Sequence, residues 1–176
     1  MGRNVEYLSK CYLQGGIILI FVTLGSQKFQ FNRLLKYVDE LIEEGIIKEK
    51  VYAQIGYSDY IPQNFEYKQF LSRDEFSKRI DISNIIITHG GTGTIITALK
   101  KGKKVIAMAR IAEFGEHVDD HQIQVVKELN KLRLIVSVES VLDLKAILKN
   151  ISDIQFEEYI SSFEKLMGSL KRFIES

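Results

Sequence analysis

The sequence predicts an α/β fold with a single Rossmann-like, doubly wound parallel sheet. Apolar runs that are typical of buried strands alternate with amphipathic helical segments along the whole chain. A length of 176 residues is enough for one such domain with a sizeable core and too short for two. One apolar run leads directly into a glycine-rich turn at residues 89–94, and such sheets bind their ligands at the carboxyl ends of the strands.

The predicted strands and helices follow one another without an internal repeat. Strands are expected at 17–24, 50–56, 65–70, 85–88, 105–109 and 132–138. Helices are expected at 32–44, 73–80, 118–130 and 141–149, with a further helix from the glycine turn to Lys100. Gly45 and Gly102 are suited to follow helix ends, and Ser72 and Glu75 form a capping-box pattern before the second helix.

The two ends of the chain differ in character from the predicted domain. Residues 1–16 end in two glycines and are predicted to form an N-terminal extension, with the domain at 17–176. Apolar residues at helical spacing predict a C-terminal amphipathic helix, and they are Phe156, Tyr159, Ile160, Phe163, Met167, Leu170 and Phe173. This helix either docks on its own domain or binds a partner or a membrane surface.

Composition and charge exclude several classes of protein. The 24 basic and 23 acidic residues give a net charge of +1, which argues against a dedicated nucleic-acid binder. A single cysteine, Cys11, fits a reducing compartment. The longest apolar run, 17–22, is far shorter than the roughly 20 residues of a membrane span, and no signal peptide is recognised. We therefore expect a cytoplasmic chain whose membrane association is peripheral or through a partner.

The glycine turn between a predicted strand and a predicted helix is a candidate anion site. The strand at 85–88 leads into His89-Gly90-Gly91-Thr92-Gly93-Thr94. The first turn of a helix leaves backbone N–H groups unpaired, and glycines let a phosphate approach them closely. The pattern matches neither a Walker P-loop nor a dinucleotide fingerprint. The alternative is a glycine-rich turn that is needed only for packing.

A second polar cluster lies at residues 113–122 and contains two of the three histidines. His117 and His121 are four residues apart, which raises the hypothesis of a metal site with His89 or Asp120 as a further ligand. A second interpretation is a solvated loop and helix N-terminus, where Asp119 and Asp120 suit the helix dipole. A third is that acid and amide groups beside a phosphate site bind sugar hydroxyls.

Together these motifs resemble the C-terminal, donor-binding domain of GT-B glycosyltransferases of the family 28 type. The segments that carry the resemblance are 21–26, 30–34, 89–94 and 115–122. The chain is most similar to the single-domain catalytic subunits of two-component transferases in capsule and exopolysaccharide synthesis, which are themselves similar to the catalytic subunit of the eukaryotic lipid-linked N-acetylglucosamine transferase.

The resemblance implies inverting transfer of a sugar, with galactose expected, from a UDP-sugar to a polyprenyl-diphosphate-linked saccharide. It places the donor diphosphate on His89, Gly90, Gly91, Thr92, Gly93 and Thr94. It places the nucleotide at Gly25, Ser26, Phe70 and Leu71, and the donor sugar at Asp120, His121 and Gln122. Many relatives carry a ribose-binding glutamate where this chain has Thr97, so the resemblance leaves ribose recognition without a residue here.

The resemblance also implies a partner, since a GT-B enzyme has two domains and this chain provides one. A membrane-anchored subunit is expected to supply the acceptor half at the inner face of the cell membrane. Glu116 and His117 are the candidates for the general base. The helix N-terminus, rather than a metal or another cofactor, is expected to stabilise the leaving diphosphate. The alternatives are a non-catalytic nucleotide-sugar-binding or enhancer subunit and a metal-dependent hydrolase.

Overall fold

A computed structural model describes residues 19–159, which form one six-stranded sheet with helices on both faces. The strands are β1 (Leu19–Thr23), β2 (Lys50–Gln54), β3 (Glu66–Lys68), β4 (Ile85–His89), β5 (Lys104–Met108) and β6 (Val136–Ser137). The helices are α1 (Asn32–Glu43), α2 (Arg73–Ile82), α3 (Thr92–Lys100), α4 (His121–Lys131) and α5 (Val141–Lys149), with a short 3₁₀ helix at Ala112–Phe114.

The sheet has the strand order β3-β2-β1-β4-β5-β6, and every neighbouring pair is parallel. This confirms the predicted Rossmann-like, doubly wound fold. The order reverses between β1 and β4, which are paired from Ile20↔Ile85 to Thr23↔Thr88. Such a reversal opens a crevice at the carboxyl ends of the two strands, where ligands bind in this class of fold.

The core consists of two apolar layers because the central strands are buried on both faces. Along β4, Ile85 and Ile87 belong to one layer and Ile86 to the other. The first layer packs against α1 and α5, through residues such as Leu34 and Leu144. The second packs against α2, α3 and α4. Strands buried in this way are continuous apolar runs, which is why the sequence pattern located them.

Several boundaries differ from the predictions for local physical reasons. The helix expected at 118–130 begins only at His121, because residues 117–120 form the turn that precedes it. The strand expected at 132–138 is reduced to Val136–Ser137, because α4 ends in a turn at Arg133, whose φ is +55°. The strand expected at 65–70 is reduced to three exposed residues at the sheet edge. The capping box of Ser72 and Glu75 is confirmed at α2, and a second one, Ser140 with Asp143, begins α5.

The predicted N-terminal extension and most of the predicted C-terminal helix lie outside the described residues. The first two positions of that helix, Phe156 and Tyr159, are described and have irregular backbone, so no helix begins at them. Within 19–159, none of the helices has the length and apolar character needed to span a bilayer.

Candidate functional site

The candidate site lies where the loops after β1, β4 and β5 meet at the crevice of the sheet. Thr88 connects β4 to β1, because its hydroxyl donates a hydrogen bond of 2.9 Å to the carbonyl of Thr23. The next residue of β4, His89, points its Nδ1 toward the same carbonyl at 3.5 Å. The structure therefore places the predicted glycine turn directly beside the loop after β1.

The ring of His89 is held between two glycines. A Cβ on Gly91 would lie 2.3 Å from His89 Nε2, and a Cβ on Gly25 would lie 2.6 Å from His89 Cε1. Gly25 also has a φ of +73°, a backbone conformation that residues with a Cβ rarely adopt. Burial, and secondarily the charge of Arg110, lowers the pKa of His89 to about 4. His89 is therefore neutral at pH 7 and separates two backbone segments that both approach it closely.

The N-terminus of α3 is open to solvent. Its N-cap is Gly91, and no side chain among the described residues caps it. Thr92 and Gly93 are exposed, and a Cβ on Gly93 would meet no described atom within 4 Å. The first-turn amides thus have no intrahelical partner and the helix dipole adds partial positive charge. This arrangement can bind an anion such as a phosphate.

Thr97, which stands at the position where relatives carry a glutamate, lies one turn further along α3. Its hydroxyl donates a 2.7 Å hydrogen bond to the carbonyl of Gly93. The side chain therefore bonds within its own helix, and this geometry provides no carboxylate for a ribose.

Gln54 connects the two segments that were predicted to bind the nucleotide. Its amide donates to the carbonyl of Gly25 at 3.2 Å and accepts from the backbone N–H of Leu71 at 3.1 Å. Phe70 is partly exposed beside it and packs edge-on against Tyr57, with the ring centroids 5.1 Å apart. Neither Gln54 nor Tyr57 is predicted as a site residue from the sequence. A buried polar residue at the end of an apolar strand was the available signal for Gln54.

Glu116, a predicted general base, is instead bound as a buried ion-pair partner. Its side chain is 1% exposed, and the two carboxylate oxygens accept from Arg33 Nε at 3.0 Å and Nη2 at 2.9 Å. One of them also accepts from the backbone N–H of Ile111. A carboxylate that is enclosed and already accepts three hydrogen bonds is poorly placed to take a proton from a substrate. This geometry argues against the catalytic role and indicates that Glu116 fixes the loop after β5 to α1.

His117, the other candidate base, belongs to the loop after β5 and contacts the loop after β1. Its Nε2 is 3.1 Å from Oε1 of Gln27, and its ring packs 5.3 Å from that of Phe29. Gln30 adds a 2.9 Å hydrogen bond to the carbonyl of Phe114. His117 is buried, but its partner Gln27 is an exposed side chain that a ligand could displace.

The three predicted sugar-binding residues lie around the start of α4. Asp120 is exposed, and its carboxylate accepts from the N–H of Ala112 at 2.9 Å. His121 is partly exposed and its Nδ1 is hydrogen bonded to Asp119. Gln122 is buried against Gly90, and its Oε1 has no hydrogen-bond partner within residues 19–159. The structure thus places an unpaired acceptor next to the glycine turn.

The structure also groups three potential metal ligands. One ligand atom each from His117, Asp119 and His121 lies within 4.8 Å of the others. Two imidazoles and a carboxylate are suited to a divalent ion such as zinc. His89 and Asp120, the further ligands that the metal hypothesis suggested, are not part of this group.

Arg110, which the sequence analysis also missed, lies beneath the loop after β1. It is 1% exposed, and its Nη2 donates to the carbonyls of Leu24 at 2.6 Å and Phe29 at 3.4 Å. Its Nε and Nη1 find no hydrogen-bond partner in the described part of the chain. Burial lowers its pKa to about 10, against the opposing effect of Glu116. A basic residue directly after an apolar strand was the only sequence signal.

Known proteins are similar to this chain in sequence. A profile of the glycosyltransferase family 28 C-terminal domain matches residues 19–165. The UDP-N-acetylglucosamine transferase subunit ALG13 of Yarrowia lipolytica is 32% identical over 114 residues, which are 63% of this chain and 52% of that protein. The human protein of the same name is 24% identical over 119 residues, 64% of this chain and 10% of that protein. The chain thus spans between a tenth and about half of these curated relatives.

Solved structures show the same fold. The NMR structure of ALG13 aligns with a TM-score of 0.56 at 22% identity, covering 85% of this chain and 94% of that one. Os79 from O. sativa, solved in complex with UDP, aligns with a TM-score of 0.60 at 13% identity, covering 97% of this chain and 37% of that one. The fold is that of one half of a GT-B glycosyltransferase, as predicted. Because the profile covers most of its length, the chain belongs to glycosyltransferase family 28, of which it contains the C-terminal domain.

Proposed function

We propose that this chain is the donor-binding, catalytic subunit of an inverting glycosyltransferase that uses a UDP-sugar. The observation that carries the proposal is the open, uncapped N-terminus of α3 at the crevice between β1 and β4. The diphosphate binds there, on the segment from His89 to Thr94. The amides and the dipole of α3 then stabilise the charge that develops on the leaving UDP.

The nucleotide is placed on the β2 side of this helix end. Gly25 and Ser26 flank it, and the uracil edge meets the backbone at Phe70 and Leu71. Gln54 supports this arrangement, because one buried amide fixes both segments at a constant separation. The solved relative that holds UDP has the same fold.

The donor sugar is placed on the opposite side, at the start of α4. Asp120, His121 and Gln122 supply the polar groups. The unpaired Oε1 of Gln122 supports this assignment, because a buried acceptor without a partner costs free energy that a sugar hydroxyl would recover. His117 is our candidate for the general base, with Glu116 and Arg33 holding its loop in place.

The acceptor half of the enzyme is assigned to a separate subunit. The support for this assignment is that the curated relatives are themselves named as transferase subunits. We propose that a membrane-anchored partner binds a polyprenyl-diphosphate-linked saccharide at the cytoplasmic face of the cell membrane. Galactose transfer in capsule or exopolysaccharide synthesis is our specific proposal, and N-acetylglucosamine, named for the relatives, is the competing donor sugar.

Calorimetric titration of the purified chain tests the proposal. UDP, UDP-galactose, UDP-glucose and UDP-N-acetylglucosamine are titrated with and without chelator. We expect binding that is insensitive to chelator and tightest for UDP-galactose; preference for UDP-N-acetylglucosamine would overturn the galactose assignment. Absence of binding, both alone and with the product of a neighbouring gene added, would overturn the donor site.

A matched pair of variants tests the sugar contacts. Gln122→Met removes the unpaired acceptor at nearly constant volume, and Gln63→Met makes the same change at an exposed position in the loop between β2 and β3. Gln122→Met should retain affinity for UDP and lose the preference among UDP-sugars, whereas Gln63→Met should change neither. An unchanged sugar preference in Gln122→Met would remove Gln122 from the site.

The group of His117, Asp119 and His121 supports a second candidate function, a metal-dependent hydrolase. Stoichiometric zinc with a dissociation constant below about a micromolar, together with loss of UDP binding on chelation, would favour it. We expect neither. A non-catalytic nucleotide-sugar-binding subunit would instead bind the UDP-sugar and support no transfer when the partner and acceptor are supplied.

A further inference from the structure

Arg110 carries a buried positive charge that the protein leaves partly unpaired. Two of its three guanidinium nitrogens, Nε and Nη1, have no hydrogen-bond partner within residues 19–159, and the side chain is 1% exposed. Within residues 19–159 the third nitrogen bonds to two main-chain carbonyls, and the guanidinium carbon lies 5.6 Å from the centroid of the Phe31 ring; neither contact supplies a net negative charge. Burying a cation is costly unless an anion balances it.

The nearest carboxylate does not fully balance this charge. Glu116 acts on Arg110 electrostatically, but both of its oxygens bond to Arg33. Two buried or half-buried guanidinium groups therefore share one buried carboxylate. His89, which also feels the charge of Arg110, is neutral and adds none. The other acids of the loop after β5, Glu113, Asp119 and Asp120, are exposed to water, which screens them.

Arg110 is located beneath the predicted ligand. Its Nη2 lies 2.6 Å from the carbonyl of Leu24, the residue before Gly25. Gly25 in turn lies beside the ring of His89, and so does Gly91 at the N-cap of α3, since a Cβ on either glycine would come within 3 Å of the ring. The charge is thus separated from the open helix end by one peptide segment and one imidazole ring. In a water-poor interior, a charge at this depth acts more strongly on an anion than it would in solvent.

We propose that Arg110 is the buried counter-charge of a diphosphate ligand at the N-terminus of α3, a positioning residue that raises affinity for the anion without touching it. The inference rests on the proposed function for the identity of the ligand. It adds a second source of positive potential to the helix end. It also accounts for the buried charge, since a ligand of net negative charge at the helix end offsets part of the cost of burying the guanidinium.

The test compares neutral and charge-retaining variants of Arg110. Arg110→Met and Arg110→Gln remove the charge, and the glutamine variant keeps a donor for the carbonyl of Leu24 in case the methionine variant does not fold. Arg110→Lys keeps the charge. Arg79→Met is the matched control, because Arg79, in the last turn of α2, packs on the ring of Tyr52 in β2, a strand that β1 and β4 separate from β5.

Each variant is titrated at pH 7 with UDP by calorimetry, and with uridine and inorganic pyrophosphate by NMR chemical shifts. The neutral variants should bind UDP and pyrophosphate at least about tenfold more weakly. They should bind uridine with unchanged affinity. Arg110→Lys should retain most of the UDP affinity, and Arg79→Met all of it.

Two results would overturn the inference. An equal loss for uridine and UDP would show that Arg110 only holds the loop after β1 in place. Unchanged UDP and pyrophosphate affinity in the neutral variants would show that its charge does not reach the ligand.

Pyrophosphate separates the inference from the proposed function. If the wild-type chain binds pyrophosphate in an Arg110-dependent manner but not UDP, the inference stands and the proposed function fails; binding of neither overturns both.

Discussion

Replacing Gly91 and Gly93 separately by alanine should have opposite effects on stability and the same effect on UDP binding. A Cβ on Gly91 would lie 2.3 Å from His89 Nε2 and 2.8 Å from Cε1, whereas a Cβ on Gly93 would meet no described atom within 4 Å. The two glycines are two residues apart in one turn. They differ in what lies beside them, so the pair separates packing from ligand binding.

The size of each effect follows from these distances. Favourable contacts require about 3.5 Å, so Gly91→Ala demands a movement of about 1 Å. The ring of His89 has little room to move, because it is buried and a Cβ on Gly25 would also lie only 2.6 Å from its Cε1. Overpacking of this kind costs about 1–3 kcal/mol, which lowers the melting temperature by about 2–12 °C in a domain of this size. Gly93→Ala should instead stabilise α3 by up to about 1 kcal/mol, because alanine is the better helix former.

UDP affinity should fall in both variants, for different reasons. The methyl group of Gly93→Ala lies on α3 and is tilted toward the helix N-terminus, where the diphosphate is proposed to bind. In Gly91→Ala the methyl group meets the ring of His89, so the N-cap backbone of the proposed phosphate site has to shift. Thermal melts followed by circular dichroism and calorimetry with UDP measure the two effects. The double variant His89→Ala with Gly91→Ala isolates the clash, because removing the ring should abolish the cost of the second methyl. An unchanged melting temperature in Gly91→Ala, or a cost that persists without His89, would refute the packing argument. Unchanged UDP affinity in both single variants would refute the phosphate site.

Three further predictions concern buried polar groups. Glu116→Gln should lower the free energy of unfolding by about 3 kcal/mol, because it leaves Arg33 without its carboxylate partner. The same change at the exposed Glu113 should not lower it, and denaturant titration measures both variants. Full stability of Glu116→Gln combined with abolished transfer would restore Glu116 as the candidate base. The pKa of His89 is about 4 in the folded protein and 6.5 ordinarily, so between pH 4 and pH 6.5 the unfolded chain binds a proton on His89 that the folded chain does not. The stabilisation of about 3 kcal/mol that neutral His89 contributes is complete above pH 6.5 and lost by pH 4, so His89→Asn should weaken the pH dependence of the free energy of unfolding, which denaturant titration at several pH values measures. Asp39→Asn should lower the free energy of unfolding by about 2 kcal/mol, because the buried carboxylate accepts hydrogen bonds from Tyr60 and from the N–H groups of Gln63 and Asn64. The same change at the exposed Asp59 should leave stability nearly unchanged, and thermal melts measure both variants.

The fold was predictable because its central strands are buried on both faces. Ile85, Ile86 and Ile87 form a continuous apolar run for this reason, and the amphipathic helices cover the two layers. The edges were less predictable. β3 is exposed along its whole length and β6 has only two residues, so neither has an apolar pattern that marks its ends.

The candidate site was predictable where it depends on backbone, and less so where it depends on long side chains. The glycine turn and the start of α3 are encoded within six consecutive residues. The pairing of Arg33 with Glu116 joins residues 83 positions apart, and the bond from Arg110 to Leu24 joins residues 86 apart. No local pattern reveals such contacts. Glu116 is therefore predicted from the sequence as a general base, whereas in the structure both of its carboxylate oxygens bond to Arg33.

The neutrality of His89 connects the packing of this site to its charge. The ring must be present, because it fills the space between Gly25 and Gly91 and keeps the loop after β1 at a fixed distance from α3. It must also be uncharged, because a second buried cation beside Arg110 and the positive end of α3 would be repelled by both. A flat, neutral ring allows the two glycine segments to approach within contact distance. The positive potential then comes from groups that cannot easily lose it at neutral pH, the helix end and Arg110. His89 itself should therefore add no pH dependence to the anion affinity of such a site in the range in which free histidine titrates.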